Sequence, residues 1–336
     1  MNTIPDLLDV ETVLPYLRRR GLLDSTRAVP RLLGGGVSNV VIAVSSPTTS
    51  LVVKQSLPQL RVDALWEAPR ERILTEAEGL VLCSRLTPGQ VPEVISVDDS
   101  EFVLCLEQAP SDWVDWKQQL LAGQVSSEVA TTLGQTLARW HSNTAGGRGL
   151  SSLMSDPETF EVLRVDPYLR TVIRGAPEVS ASVQAVIDEM AAHRVCLVHG
   201  DFSPKNVLVA GTPPGVWVID FEVAHLGDPA FDVAFLISHL VLKSLHRPQH
   251  ATRLDEATTS FVEAYREVLE LSTTRPESAV VRYVGALLLA RVAGKSPVEY
   301  LDGASRRRAW DLGLKLVGST NLTIREIPEQ RRMCIT

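Results

Sequence analysis

The string His199-Gly200-Asp201-Phe202-Ser203-Pro204-Lys205-Asn206 constrains this chain more than any other feature. One apolar run, Val195–Val198, leads into it, and another, Val207–Val209, leads out, so the string reads as a short loop between two strands. Asp201 and Asn206 then share one loop and can face a common point. Fourteen residues after Asn206, a third apolar run, Val216–Ile219, delivers Asp220-Phe221-Glu222. Gly, Asp, Ser, Pro and Asn each favour turns on their own. Turn preference does not explain the whole ordered set with a second, strand-borne aspartate behind it.

These residue types suit one chemistry. Transfer of a phosphoryl group from ATP asks little covalent work of a protein. It needs a carboxylate to orient an acceptor hydroxyl and take its proton, and hard oxygen ligands for the Mg²⁺ that bridges the phosphates. Asp201 suits the first task, and Asn206 and Asp220 the second. An Asp-x4-Asn loop followed by a strand-borne aspartate is the kinase arrangement.

The N-terminal part agrees in order and spacing. Leu32–Leu33 runs into Gly34-Gly35-Gly36. Strands are predicted over Val40–Val44 and Leu51–Lys54, with a turn at Ser45–Ser50. Glycines let backbone N–H groups come close to anionic oxygens, so Gly35, Gly36 and Ser38 are candidates to cover phosphates. Lys54, eighteen residues past Gly36, is the candidate for the α- and β-phosphates and for pairing with a helix glutamate. A helix is expected over 67–86, and Glu76 and Glu78 compete for that pairing from different faces. Glu76 is favoured because Leu80 and Cys83 follow it at helical spacing. Two short strands, Val94–Val97 and Phe102–Leu106, lead to a hinge at Glu107-Gln108-Ala109, whose backbone would meet the adenine edge.

Elsewhere the apolar spacing predicts helices over 6–20, 127–141 and 180–192, a loop over 145–152, and a mostly helical stretch over 229–320. The junction between a β-rich part, 1–107, and a mainly helical part, 108–336, is placed at Gln108–Asp112, where Pro110 breaks the pattern.

The segments HGDFSPKN and DFEVAHLGDPAFD resemble the aminoglycoside phosphotransferase / choline kinase superfamily, which shares the protein-kinase fold. The resemblance spans roughly residues 30–300. It implies an α+β, bilobal protein-kinase-like fold, with a β-rich nucleotide-binding lobe and a mainly helical lobe carrying the catalytic loop and the acceptor site. It implies ATP and Mg²⁺ as cofactors, Asp201 as catalytic base, and Asn206 and Asp220 as metal ligands. Asp232 would brace the catalytic loop through its backbone, with His199 and Glu222 in support, Glu222 serving either a second metal or the loop geometry. Residues 133–142, LGQTLARWHS, resemble the helix before the catalytic loop, with His141 as a packing residue.

Residues 53–62, with Trp66, Glu76-Ala77-Glu78, Ser111-Asp112 and Leu120-Leu121-Ala122-Gly123, resemble bacterial methylthioribose kinases. The C-terminal part departs from them. Asn206 stands where those enzymes usually carry Ser, Asp220-Phe221-Glu222 replaces their DPE motif, and Arg291 is followed by Val292 rather than a second arginine. The expected acceptor is therefore a hydroxyl of a sugar, amino sugar or amino alcohol, with methylthioribose kinase proper as one alternative. Arg291 and Lys295 are the substrate candidates and would share a helix face if the helix runs through Gly294. Glu299 and Asp302 are alternative contacts for a cationic substrate.

A nucleotide-binding regulatory pseudokinase is disfavoured, because Lys54, Asp201, Asn206 and Asp220 are all present. A protein kinase is disfavoured because Gly200 stands where an arginine precedes the base, and Pro229 follows Glu222 by only seven residues. The net charge of −7 and the lack of any basic cluster exclude a nucleic-acid surface. No apolar run is long enough for a membrane span, and the first residues lack a secretory pattern, so a cytoplasmic protein is expected. Cys83, Cys105, Cys196 and Cys334 are scattered without metal-site spacing and are expected as reduced thiols.

Overall fold

Valine and isoleucine dominate residues 39–56, and the chain there doubles back on itself as β-branched side chains favour. The computed structural model describes residues 7–34, 36–61, 66–211, 214–271 and 275–334. Two compact units, Met1–Ser111 and Asp112–Thr336, divide the chain within the segment Gln108–Asp112 rather than at residue 107. The reason is local: Gln108 still belongs to the sheet, its amide donating to Ser50 O and its side-chain oxygen accepting from the hydroxyls of Ser45 and Ser50.

The first unit is an antiparallel sheet of β1 (Val29–Leu32), β2 (Asn39–Ser45), β3 (Ser50–Ser56), β4 (Val94–Asp98) and β5 (Val103–Glu107), in the order β1-β2-β3-β5-β4. Side chains alternate between its faces. One face carries Val40, Ile42, Val44, Leu51, Val53, Val103 and Cys105, packed with Tyr16 and Leu17 of the helix Val13–Arg19. The register sets Lys54 opposite Val41 and Leu104, on the other face. That face meets the helix Arg72–Leu86 through Glu76.

Both helices start later than their spacing predicts. The Asp9 carboxylate accepts the amides of Glu11 and Thr12, a local turn that delays the first helix to Val13. Pro69 disfavours helix at the residue before it, and the carbonyls of Ala68 and Pro69 are bound by the buried Arg72 guanidinium.

In the second unit β6 (Val114–Asp115) pairs with β8 (Val207–Ala210), which pairs with β9 (Gly215–Val218), while β7 (Cys196–Val198) pairs with β10 (His225–Gly227). These two small sheets carry the loops of interest. Around them pack the helices Ser127–Asn143, Ser180–Ala192, Ala230–His246, Ala251–Val268, Glu277–Ala293 and Gly303–Val317. Every residue of Ala230–Leu245 is buried, so that helix forms the centre of the unit. Residues 152–175, unassigned from periodicity, are largely helical and include a π-helix, Glu161–Arg170. Its wider turn, with Pro167 inside, breaks the 3.6-residue spacing that marks an α-helix in sequence. No helix of the described residues is long and apolar enough to cross a membrane.

Glycines set the closest helix contacts. A Cβ on Gly134 would lie 2.3 Å from Phe261 O and 2.9 Å from Tyr265 N, so Ser127–Asn143 meets Ala251–Val268 backbone to backbone. Gly134→Ala is expected to destabilise the protein by about 1–3 kcal/mol through overpacking. Gly175→Ala, where a Cβ meets nothing within 4 Å, is expected to be neutral or slightly stabilising. Urea denaturation midpoints check both, and equal midpoints would refute the close contact.

Candidate active site

The loop after β7 turns sharply because Gly200 adopts φ +77°, a left-handed conformation suited to glycine. A Cβ there would meet Val223 O at 2.7 Å, so no larger residue fits. Asp232, in the first turn of Ala230–His246, accepts the amides of His199 at 2.7 Å and Gly200 at 2.9 Å. The fully buried His141 orients that carboxylate: Nε2 lies 3.4 Å from Asp232, and Nδ1 accepts the Tyr265 hydroxyl at 2.8 Å. His199 ties the two loops together. Its Nδ1 accepts the Asp201 amide at 3.1 Å, so its Nε2 donates to Ile219 O at 3.2 Å. Burial pushes the His199 pKa down against the pull of Asp232, Asp201 and Asp220, which keeps the ring in this neutral form.

Asp201 is buried and holds two cations on one oxygen. Arg164 Nη2 and Lys205 Nζ each lie 2.8 Å from Oδ2. Burial alone would raise the Asp201 pKa. Arg164 first and Lys205 second outweigh it and hold the carboxyl below the usual range, despite the nearby negative charge of Asp220. Arg164 itself is anchored by Gly200 O at 2.9 Å and Leu163 O at 2.7 Å. Asn206 donates from Nδ2 to Asp201 O at 3.0 Å, which leaves its amide oxygen, not its nitrogen, as the group able to bind a cation. Asp220 has φ +74°, a strained conformation for a non-glycine residue and one that clusters at functional sites. Beneath both loops, Phe202 and Phe221 pack on Trp140, with ring centroids at 6.2 and 5.4 Å, and His199 lies 4.4 Å from Phe221. Glu222 is buried. The second unit thus gathers Asp201, Asn206, Asp220, His199, Glu222 and Asp232 around two linked loops.

In the first unit Lys54 Nζ contacts Glu76 Oε1 at 2.6 Å, both buried, while Glu78 is exposed. Ser38 is buried, and its carbonyl accepts from Arg72 at 2.5 Å and from the Leu57 amide at 3.0 Å, pinning the end of the glycine turn. Gly36 is exposed, and Gly35 lies outside the described residues. The Glu107 amide is committed to Glu93 O at 2.9 Å, and Ala109 follows it on the partly exposed stretch beyond β5.

Arg291 and Lys295 do not share a helix face. The helix Glu277–Ala293 ends before Gly294, where a Cβ would meet Ala290 O at 2.5 Å and Pro167 O at 3.0 Å. Arg291 turns inward to the Tyr168 hydroxyl at 3.0 Å, whereas Lys295 lies near Asp166 at 3.5 Å on the surface. Lys117 occupies Glu299 at 2.5 Å, and Asp302 caps the next helix through the Ser305 amide at 2.7 Å. Sequence reasoning missed Arg164 and Arg72. The signal for Arg164 was an arginine set between Leu163 and Val165, with Tyr168 and Leu169 one turn on, all buried.

Removing the Asp232 carboxylate would leave two buried amides without an acceptor, at about 1–3 kcal/mol each. Asp232→Ala is therefore expected to lower unfolding stability by roughly 2–6 kcal/mol. Denaturant titration measures this, and a loss below 1 kcal/mol would show that the loop does not depend on it.

The chain matches the model of the phosphotransferase enzyme family (APH) over residues 30–271. It is 25% identical over 252 residues to methylthioribose kinase 1 of Oryza sativa subsp. japonica, a match covering 67% of this chain and 58% of that protein. The chain therefore spans less than two thirds of that relative. It is 25% identical over 351 residues to the methylthioribose kinase of Pectobacterium carotovorum subsp. carotovorum (strain PC1), covering 85% of this chain and 86% of that one. Among solved structures it is similar to a choline/ethanolamine kinase family protein from Mesorhizobium loti, with TM-score 0.54 and 17% identity, covering 96% of this chain and 98% of that one. With a β-rich first unit, a mainly helical second unit and this family match over most of its length, the chain belongs to the phosphotransferase enzyme family.

Proposed function

We propose that this protein is an ATP-dependent small-molecule kinase that moves the γ-phosphoryl group of MgATP to a hydroxyl. The observation that carries this reading is Asp201: a buried carboxylate, held ionised by Arg164 and Lys205, on a loop whose backbone Asp232 grips. In this reading the Asp201 carboxylate accepts the proton of the acceptor hydroxyl as its oxygen bonds to the γ-phosphorus. The bond from that phosphorus to the bridging oxygen of ADP breaks, and ADP leaves.

The donor set suits Mg²⁺. Asn206 offers an amide oxygen because its nitrogen is bound to Asp201 O, and Asp220 adds a carboxylate from a strained backbone. Among the described residues no cluster of three or more His, Cys, Asp or Glu side chains is placed to hold a metal. Mg²⁺ needs none, since it takes one or two protein oxygens together with phosphates and water. When bound, the ion neutralises charge developing on the phosphoryl oxygens. Lys54, fixed by Glu76, would receive the α- and β-phosphates; Gly35, Gly36 and Ser38 would cover them; and Glu107–Ala109 would meet the adenine edge. His199 and Glu222 support the loop geometry. A cytoplasmic setting, where MgATP is supplied, goes with this reading. Methylthioribose kinase proper is not favoured, since Asn206, Phe221 and the Val292 that follows Arg291 differ from that family's pattern.

Asp201→Asn is expected to lower kcat by about 10²–10⁴-fold while MgATP still binds, as for loss of a general base. Transfer of labelled phosphate from ATP to a panel of alcohols measures this, and unchanged turnover would remove Asp201 from the role. The pH profile gives a second check. With its pKa held below the usual carboxylate range by Arg164 and Lys205, Asp201 stays ionised throughout the neutral range. Arg164→Met removes the largest influence lowering that pKa, leaving burial and Asp220 to raise it. The acid limb of kcat/KM should then move to higher pH, and an unmoved limb would mean that Arg164 does not control the base.

A further inference from the structure

Lys243 is a fully buried lysine in the last turn of the central helix Ala230–His246. Among the described residues its ammonium has no hydrogen-bond partner. Its one close neighbour of note is the Tyr300 ring, whose centroid lies 5.5 Å away. The Tyr300 hydroxyl is also buried and unpartnered. A desolvated, unpaired ammonium is costly, and fold stability gives no reason to keep it.

Its surroundings are cationic. Arg291 and Lys117 both depress its pKa, after burial, and only Asp115 and Glu299 oppose them; together these bring it to about 7. Lys117 is already paired with Glu299 at 2.5 Å. Among the described residues Arg291 donates to neutral oxygens, those of Tyr168 and Ser296, and its buried Nε has no hydrogen-bond partner. His239, one turn before Lys243, is driven well below its usual pKa by burial and then by Lys243, Arg291, Lys205 and Lys117. Among the described residues, Lys243 and Arg291 are therefore two cations with no carboxylate in ion-pair contact.

This excess adjoins the base. The guanidinium groups of Arg291 and Arg164 lie 5.5 and 5.7 Å from the centroid of the same Tyr168 ring. Arg164 is also the residue bound to Asp201 at 2.8 Å. From this juxtaposition we infer that the phosphoryl acceptor is an anion: a hydroxyl compound whose carboxylate or phosphate is drawn to Arg291 and the Lys243 charge while its hydroxyl faces Asp201. Arg291, half-buried, is the contact group. Lys243, covered by Tyr300, is a positioning residue that acts through its field and gains a counter-charge when the anion arrives. The inference rests on the kinase reading and narrows its acceptor class away from amino sugars and amino alcohols, whose ammonium groups these cations would repel.

Two measurements on the full chain test it. The first compares kcat/KM for charge-matched acceptors: glycerol, glycerate and glycerol phosphate, and glucose, gluconate, glucose 6-phosphate and glucosamine. The second is calorimetry with inorganic phosphate and with acetate, at saturating non-hydrolysable MgATP analogue, which separates a phosphate preference from a carboxylate preference. Wild-type protein is expected to favour an anionic member at least tenfold over its neutral counterpart and to bind one of the two anions. Lys243→Met and Arg291→Gln should each weaken that binding at least tenfold and raise KM more than they lower kcat.

The KM for the anionic acceptor should rise above pH 7 in wild type as Lys243 loses its proton. Lys243→Met should abolish this rise, although Asp115, Lys117, His239, Arg291, Glu299 and Tyr300 all still face the position. Binding of neither anion, or binding equal in Lys243→Met, overturns the inference. So does faster transfer to glucosamine or glycerol than to the anionic counterparts. Absence of MgATP analogue binding would instead sink the kinase reading itself.

Discussion

The buried carboxylate of Asp232 is the interaction on which the rest of the site depends. It sits in the first turn of a helix that is buried over nearly its whole length and accepts two consecutive amides from the turn at His199 and Gly200. Those amides have no strand partner, because the chain leaves β7 there, and water does not reach them. The carboxylate therefore satisfies the backbone and sets the direction in which Asp201 emerges. His141 and Tyr265 continue the network behind it, so the loop is anchored to three helices at once.

On that anchored loop, charge is balanced asymmetrically. Asp201 is desolvated, which works against ionisation, yet two cations at 2.8 Å reverse the outcome. In the proposed reaction, a carboxylate that stays ionised at low pH is a weaker proton acceptor than one poised near neutrality. Such a base suits a reaction in which positioning and phosphoryl charge dominate over proton transfer. The same cations extend past Tyr168 to Arg291 and Lys243, where positive charge exceeds the carboxylates that face it. One unit thus brings Asn206 and Asp220 to loops linked to Asp201, with Arg164 and Arg291 meeting over one tyrosine ring beside it.

Much of this arrangement was legible beforehand, and the reason differs from residue to residue. The loops declared themselves through order: apolar runs around His199–Asn206 and before Asp220 left few alternatives for the backbone between them. Lys54 and Glu76 were legible through period, since a strand alternates and a helix returns every three to four residues. Arg164 was overlooked although it sits among apolar residues, because the π-helix around Pro167 breaks the α-helical spacing that would have turned that cluster into a helix face. The shared helix face expected for Arg291 and Lys295 failed on one close approach, Gly294 against Pro167 O, between segments more than 120 residues apart.

The sequence by itself determined which acidic and amide residues share the two loops and the order of the elements that carry them, because local patterns of apolar spacing, turn residues and acid–amide motifs act over short stretches of chain. Only the tertiary structure decided what surrounds them: the two cations on Asp201, the carboxylate beneath the loop, and the unpaired Lys243 beside Arg291. Those are contacts between segments far apart in the chain, and their strength depends on burial, which removes the water that would otherwise screen or satisfy each group.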